Sequence, residues 1–211
     1  MCKRIILFLF LTVQVFSVQA SGIRIRLFYD MKVTTAMLSL YSSTFTIYGD
    51  GQPLVFNDSL AVFQLFYSND SILVKTPGDT LGTFRQLLLK PREESGNFKV
   101  KPITPLSGTR RYFGSLEIKT GNQQLYFINT ADLEYYVAGV VESESGGYRA
   151  KEFYKVQAIL CRTYGLNHLG RHVQEGYELC DGTHCQVYRR VPTDLLILVL
   201  MTKYLQADVI F

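Results

Sequence analysis

Two short stretches of this chain hold the residue types that do chemistry. The first is Gly139-Val140-Val141-Glu142-Ser143-Glu144-Ser145-Gly146-Gly147, where two carboxylates sit at the point where an apolar helical pattern meets its breaker. A carboxylate held there partly out of water has a raised pKa, which suits it to donate a proton near neutrality. The second is Cys180-Asp181-Gly182-Thr183-His184-Cys185, with His168 and His172 upstream. Four residues between the two thiols permit zinc ligation in a loop, completed by His172 or His184 with water or substrate in an open position. The same spacing permits a small disulfide or two free thiols. His172 is the favoured third ligand because it is further away along the chain, whereas His184 is crowded against Cys185. Cys161 falls inside a helical stripe and reads as a small buried hydrophobe.

Two helical patterns must position these groups. Leu133, Val137, Val140 and Glu144 share one stripe, and Phe153, Val156, Leu160 and Tyr164 share a second of the same rhythm. Thr130 or Asp132 can cap the first helix and Gly146-Gly147 can end it. On this geometry Glu144 lies on the core-facing stripe while Glu142 is turned about 200° away, so Glu144 is the acid expected to be desolvated.

Before the helices the signals are those of strands. Ile23, Ile25 and Leu27 alternate with less apolar neighbours, and Ser43 to Tyr48 is β-branched and aromatic before the turn Gly49-Asp50-Gly51. Val62 to Tyr67 and Ser71 to Lys75 flank Asn69-Asp70 as a second hairpin, and Phe98 to Ile103, Gly114 to Lys119 and Gln124 to Ile128 read as three more strands. The expected fold is α+β, with β-rich modules followed by a two-helix segment that carries the acid.

Four motifs then occur in a characteristic order. They are Asn129 with Leu133 to Val141, the dipeptide Ser143-Glu144, Lys155-Val156-Gln157-Ala158 with Arg162-Thr163-Tyr164, and Cys180 to Tyr188. Together they resemble the stage II sporulation protein D family (SpoIID/LytB) over Tyr112 to Tyr188. The resemblance implies a lytic transglycosylase that cleaves peptidoglycan glycan strands, with Glu144 as general acid and base and 1,6-anhydro-muramyl ends as product. It implies further that Lys155, Gln157, Arg162, Thr163, Tyr164, Gln186 and Tyr188 line the substrate site. Amides match vicinal hydroxyls and a tyrosine ring stacks on a pyranose, while Lys155 and Arg162 either contact the glycan or satisfy internal carbonyls and ion pairs. The thiols Cys180 and Cys185 resemble those with which some members hold zinc, with His172 as the nearby ligand. Other members assist a wall amidase, so the rival reading is a non-catalytic wall-binding protein that activates an amidase.

The chain departs from the family in two places. Ser145-Gly146-Gly147-Tyr148 stands where a short Pro-containing turn is usual, and residues 191–211 continue the motif with an unfamiliar sequence. That tail reads as a truncated end, which would make an inactive fragment the third possibility.

Composition bounds the remaining choices. Lys3 and Arg4 precede an apolar run, Ile5 to Val18, that is shorter than the roughly 20 residues needed to span a bilayer, and small residues follow at Val18-Gln19-Ala20. Residues 1–20 are therefore expected to be a cleaved signal peptide, with the mature protein exported to the cell envelope and carrying no membrane span. The expected divisions are 21–105 as a β-rich module, 106–190 as the family core and 191–211 as the tail. A formal charge of +4, scattered along the chain, does not argue for nucleic acid.

Overall fold

The computed structural model describes residues 22–41, 45–54, 60–93, 96–146 and 150–189. The expected signal peptide (1–20) and tail (191–211), together with Ser43, Thr44 and Gly147, lie outside the described residues. No helix among the described residues is long and apolar enough to cross a membrane.

The fold is β-rich with two helices near its C-terminal end, as expected. With strands numbered along the chain, one sheet runs in the order β13 (Leu179–Cys180), β1 (Ile23–Leu27), β12 (Gln124–Ala131), β11 (Ser115–Gly121), β8 (Gln86–Pro91), β3 (Phe45–Gly49) and β4 (Gln52–Pro53). The other runs β10 (Arg110–Phe113), β9 (Asn97–Thr104), β2 (Thr35–Tyr41), β5 (Leu60–Ser68), β6 (Ser71–Lys75) and β7 (Thr80–Phe84). Alternation of apolar residues puts Ile25, Leu27, Ile47, Leu89, Leu116, Ile118 and Phe127 inward from the first sheet. Leu38, Phe63, Leu65, Ile72, Phe98 and Val100 enter the same core from the second. Phe45 and Phe98 meet edge to face at 6.3 Å between ring centres. Each such side chain, fully buried, is worth roughly 1.5–3 kcal/mol.

The expected boundary at 105/106 does not separate two bodies. β1, β3, β4 and β8 share a sheet with β11, β12 and β13, so strands from both sides interleave. Sequence-local patterning shows where strands begin and end but not which distant strand each one pairs with.

Asp132 caps α1 (Leu133–Ser145), its side chain accepting from the Glu134 N–H at 2.8 Å, and Gly146 ends it at φ +68°. The acid positions come out reversed from the expectation: Glu142 is only 5% exposed and Glu144 is exposed. The reason is that α1 is enclosed on all sides from Tyr136 to Glu142, so stripe membership decides little there, and the last turn then leaves the core.

The apolar stripe of α2 (Lys151–Asn167) is also turned about. Phe153, Val156 and Leu160 are 43–59% exposed, while Tyr154, Ala158, Cys161, Arg162 and Gly165 face inward. Small residues decide this, because a methyl group on Gly165 would already stand 3.3 Å from the Tyr136 ring. The face that lets α2 approach α1 closely wins over the more hydrophobic one.

Asn129 ties the sandwich to the helices. It is fully buried on β12, and its Nδ2 donates to the carbonyls of Phe113 (2.8 Å) and Ser115 (2.9 Å), while its Oδ1 accepts from the Tyr188 hydroxyl at 3.4 Å. Gly114 lies between those two carbonyls at φ +89°, where an added Cβ would be 2.1 Å from the Thr130 carbonyl oxygen, so only glycine fits. Asn129→Leu preserves volume but strands these partners in a dry core. We expect it to cost about 2–4 kcal/mol, read as a lower urea midpoint with an unchanged slope.

Candidate functional site

Glu144 stands at the exposed end of α1, against the segment Gln186 to Arg189. Its Oε1 accepts the Val187 N–H at 3.2 Å and its Oε2 lies 3.9 Å from the Cys161 thiol. Next to it, Ser143 Oγ accepts the Arg189 N–H at 3.2 Å, so two successive residues of α1 fasten the incoming segment. The carboxylate is therefore open to solvent yet held in place. Behind it Cys161 is 2% exposed, accepts from Gln157 Nε2 at 3.6 Å, and is pushed up to about 12 by burial and by the neighbouring Glu144 charge. At ordinary pH it is a neutral thiol wall.

The residues expected to line a glycan site divide into two groups. Gln157 and Gln186 do gather beside Glu144. Gln157 is half-buried against Cys161, whereas Gln186 is buried and its Oε1 accepts the Tyr136 hydroxyl at 3.0 Å. Lys155 is half-buried and pairs with Glu152 at 3.0 Å, Thr163 is exposed, and Tyr164 stacks on His168 with ring centres 3.9 Å apart.

Two further members of the expected set, like Gln186, are buried. Tyr188 is fully buried, packed on Tyr112 and Tyr136 at 5.3 and 5.2 Å between ring centres, and no face of its ring is free to stack on a sugar. Arg162 is buried with its guanidinium engaged by Glu134, where it clamps α2 to α1. Both follow from the same cause: a polar tip on a large side chain serves a buried helix interface as well as it serves a ligand.

The second stretch forms a compact cluster. One ligating atom from each of His172, Cys180, His184 and Cys185 lies within 4.8 Å of all the others. Cys185 Sγ is 3.5 Å from His172 Nε2, and His184 Nδ1 is 3.9 Å from both sulfurs. Tetrahedral zinc with ordinary Zn–S and Zn–N bonds sets its ligand atoms about 3.3–3.8 Å apart, so the donor types fit and the spacing is slightly wider than a bound ion would draw it. The three described cysteines are free thiols. Cys180 and Cys185 titrate as a pair: hydrogen bonding from Cys180, aided by His172 and His184 against the opposing effect of burial, holds Cys185 well below the ordinary thiol range. The same pairing and burial push Cys180 up.

A buried carboxylate sets this loop. Asp181, between the two cysteines, accepts the N–H groups of Phe28 (2.6 Å) and Tyr29 (3.0 Å) and pairs with Arg110 Nη1 at 2.8 Å. Burial raises its pKa against the pull of these donors. Neither Asp181 nor the placing of Cys161 against Glu144 is foreseen from residue spacing. The only trace in the sequence is an acid next to Gly182, where a loop turns sharply.

Residues 121–203, which hold both helices, Glu144 and the His/Cys cluster, match the family model SpoIID, described as stage II sporulation protein. The match reaches into the stretch beyond residue 190 that the sequence reading treats as atypical. No curated protein and no solved structure matches the chain. That match supports a cell-wall-related function in sporulation and a peptidoglycan-related interaction.

The contrast between the cysteines is measurable. In metal-free protein at pH 7, alkylation followed by mass spectrometry of the peptides is expected to label Cys185 at least about tenfold faster than Cys161, because hydrogen bonding holds Cys185 below the ordinary thiol range while burial and Glu144 hold Cys161 above it.

Proposed function

We propose that this chain cleaves peptidoglycan glycan strands as a lytic transglycosylase, with Glu144 as its single acid and base. The observation that supports this most directly is the state of the two acids. Glu142 is buried within α1, whereas Glu144 is open to solvent with Oε1 fixed by the Val187 N–H. Hydrolases that use water need a second carboxyl group across the bond. One tethered acid suffices when the nucleophile comes from the substrate.

In such a reaction Glu144 gives its proton to the glycosidic oxygen as the bond from the muramyl C1 to that oxygen breaks. The muramyl 6-hydroxyl oxygen then bonds to C1, and its proton passes to the Glu144 carboxylate, which restores the acid without water. With Oε1 occupied by an amide donor, the travelling proton belongs on Oε2, against the neutral Cys161 thiol. Gln157, half-buried beside this position, supplies an amide for sugar hydroxyls, while Gln186 is buried behind it and engaged by Tyr136 and Cys161.

His172, Cys180, His184 and Cys185 are proposed to hold a zinc ion. Bound metal would supply a cross-link, because four protein ligands leave no open position, in contrast to the three-ligand site with water. The benefit to the reaction is positional. Cys185 lies two residues before Val187, so fixing the thiolate fixes the amide that holds Glu144. Export to the cell envelope, with residues 1–20 removed, is the setting this substrate requires.

Digestion of peptide-free glycan strands tests the enzyme. Wild type is expected to release anhydro-muramyl ends, and Glu144→Gln to lose about 10²–10⁴-fold of that activity while keeping its melting temperature. Retention of glycan by both proteins without any product would instead support a wall-binding protein that activates an amidase. Metal removal with a chelator is expected to lower both the melting temperature and cleavage, and zinc to restore both.

A further inference from the structure

Resting on the reading of the His/Cys cluster as a metal site, we infer that Glu175 is the positioning residue that turns His172 toward the metal, with Tyr177 as its clamp. The sequence His172-Val173-Gln174-Glu175-Gly176-Tyr177 builds this locally. Val173–Glu175 forms a single 3₁₀ turn, closed by the Glu175 N–H on the His172 carbonyl at 2.9 Å. Side chains three residues apart eclipse in a 3₁₀ turn, so Glu175 falls directly beside His172. Gly176, at φ +86°, then reverses the chain and lays the Tyr177 ring on the imidazole, 4.9 Å between centres and 28° from parallel.

The carboxylate of Glu175 uses both oxygens. Oε1 is 2.6 Å from His172 Nδ1 and Oε2 accepts the Tyr177 hydroxyl at 2.5 Å. An Nδ1–H donating to the carboxylate leaves the lone pair on Nε2, and Nε2 is the atom that faces Cys185 Sγ at 3.5 Å. The opposite tautomer would set two acceptors against each other at Nδ1 and point a proton into the cluster. Arg26 buttresses the clamp from outside, its guanidinium 5.9 Å from the Tyr177 ring and 4.0 Å from that of Tyr126. His184 has no such carboxylate in its described contacts; its ring lies on Tyr29, 5.9 Å away and 16° from parallel.

The test is zinc affinity, measured by competition of the metal-free full chain against a chromophoric chelator, with cobalt absorption as a second readout of the ligand set. Glu175→Ala is expected to weaken zinc binding about 10–100-fold. Glu175→Gln, which keeps an oxygen to accept Nδ1–H, should recover part of that loss, and Tyr177→Phe should lose less than Glu175→Ala. Gln174→Ala on the same turn should bind as wild type does. If Glu175→Ala and Tyr177→Phe both stay within about threefold of wild type, the inference is overturned. Should Glu175→Ala fail to fold, as judged by circular dichroism, Tyr177→Phe decides alone. A wild-type chain that takes up no zinc removes the metal site itself, and this inference with it, before any variant is compared.

Discussion

The architecture of the site depends on one buried ion, the Asp181 carboxylate. Two backbone amides at the end of β1 and the Arg110 guanidinium converge on it, so the loop from Cys180 to Tyr188 is pinned from two directions at its second residue. Removing one partner from a buried charge of this kind typically costs about 3–5 kcal/mol, because the remaining charges are left without solvent or counterion. Placing such a carboxylate between two thiols settles where both sulfurs point. It also settles where the chain must run next, across the end of α1.

From that peg outward the loop does two jobs with very few residues. Cys185 belongs to the His/Cys cluster, Gln186 is held by Tyr136, Val187 offers its amide to Glu144, and Tyr188 seals the core by reaching Asn129. Three of these four side chains are buried and Val187 is half-buried, although only Leu179 and Cys180 pair as a strand. The acid is therefore oriented by backbone that belongs to the loop and not by side chains of its own helix. That arrangement lets Glu144 be exposed without being loose.

Much of the fold was legible because strand signals are local. The turns Gly49-Asp50-Gly51 and Asn69-Asp70 adopt the left-handed conformations their residue types favour, and Asp132 and Gly146 bound α1 as caps do. Strands β2, β4, β7, β8, β10 and β13 were not legible, Thr80 to Phe84 among them because Gly82 breaks its apolar pattern. At the site the types of residue were readable but their burial was not. Tyr188, Arg162 and Gln186 are all polar-tipped residues in motifs that suggest contact with ligand, and each is satisfied internally. The outward turn of Phe153, Val156 and Leu160 was hidden for a related reason: hydrophobicity shows which face could be buried, while the size of Gly165 and Ala158 decides which face fits.

The pairing of β1 carries a consequence for how the chain reaches this structure. Ile25 pairs with Asn129 on one side and with Leu179 on the other, so the first described strand is completed by almost the last described piece. Contacts this distant in sequence pay loop-closure entropy before they return any stability, and they slow folding. During synthesis β1 has no sheet neighbour until β12 has emerged, and its second neighbour comes only with the Cys180 loop. A chain wired in this way leaves one edge of β1 open until the Cys180 loop is made.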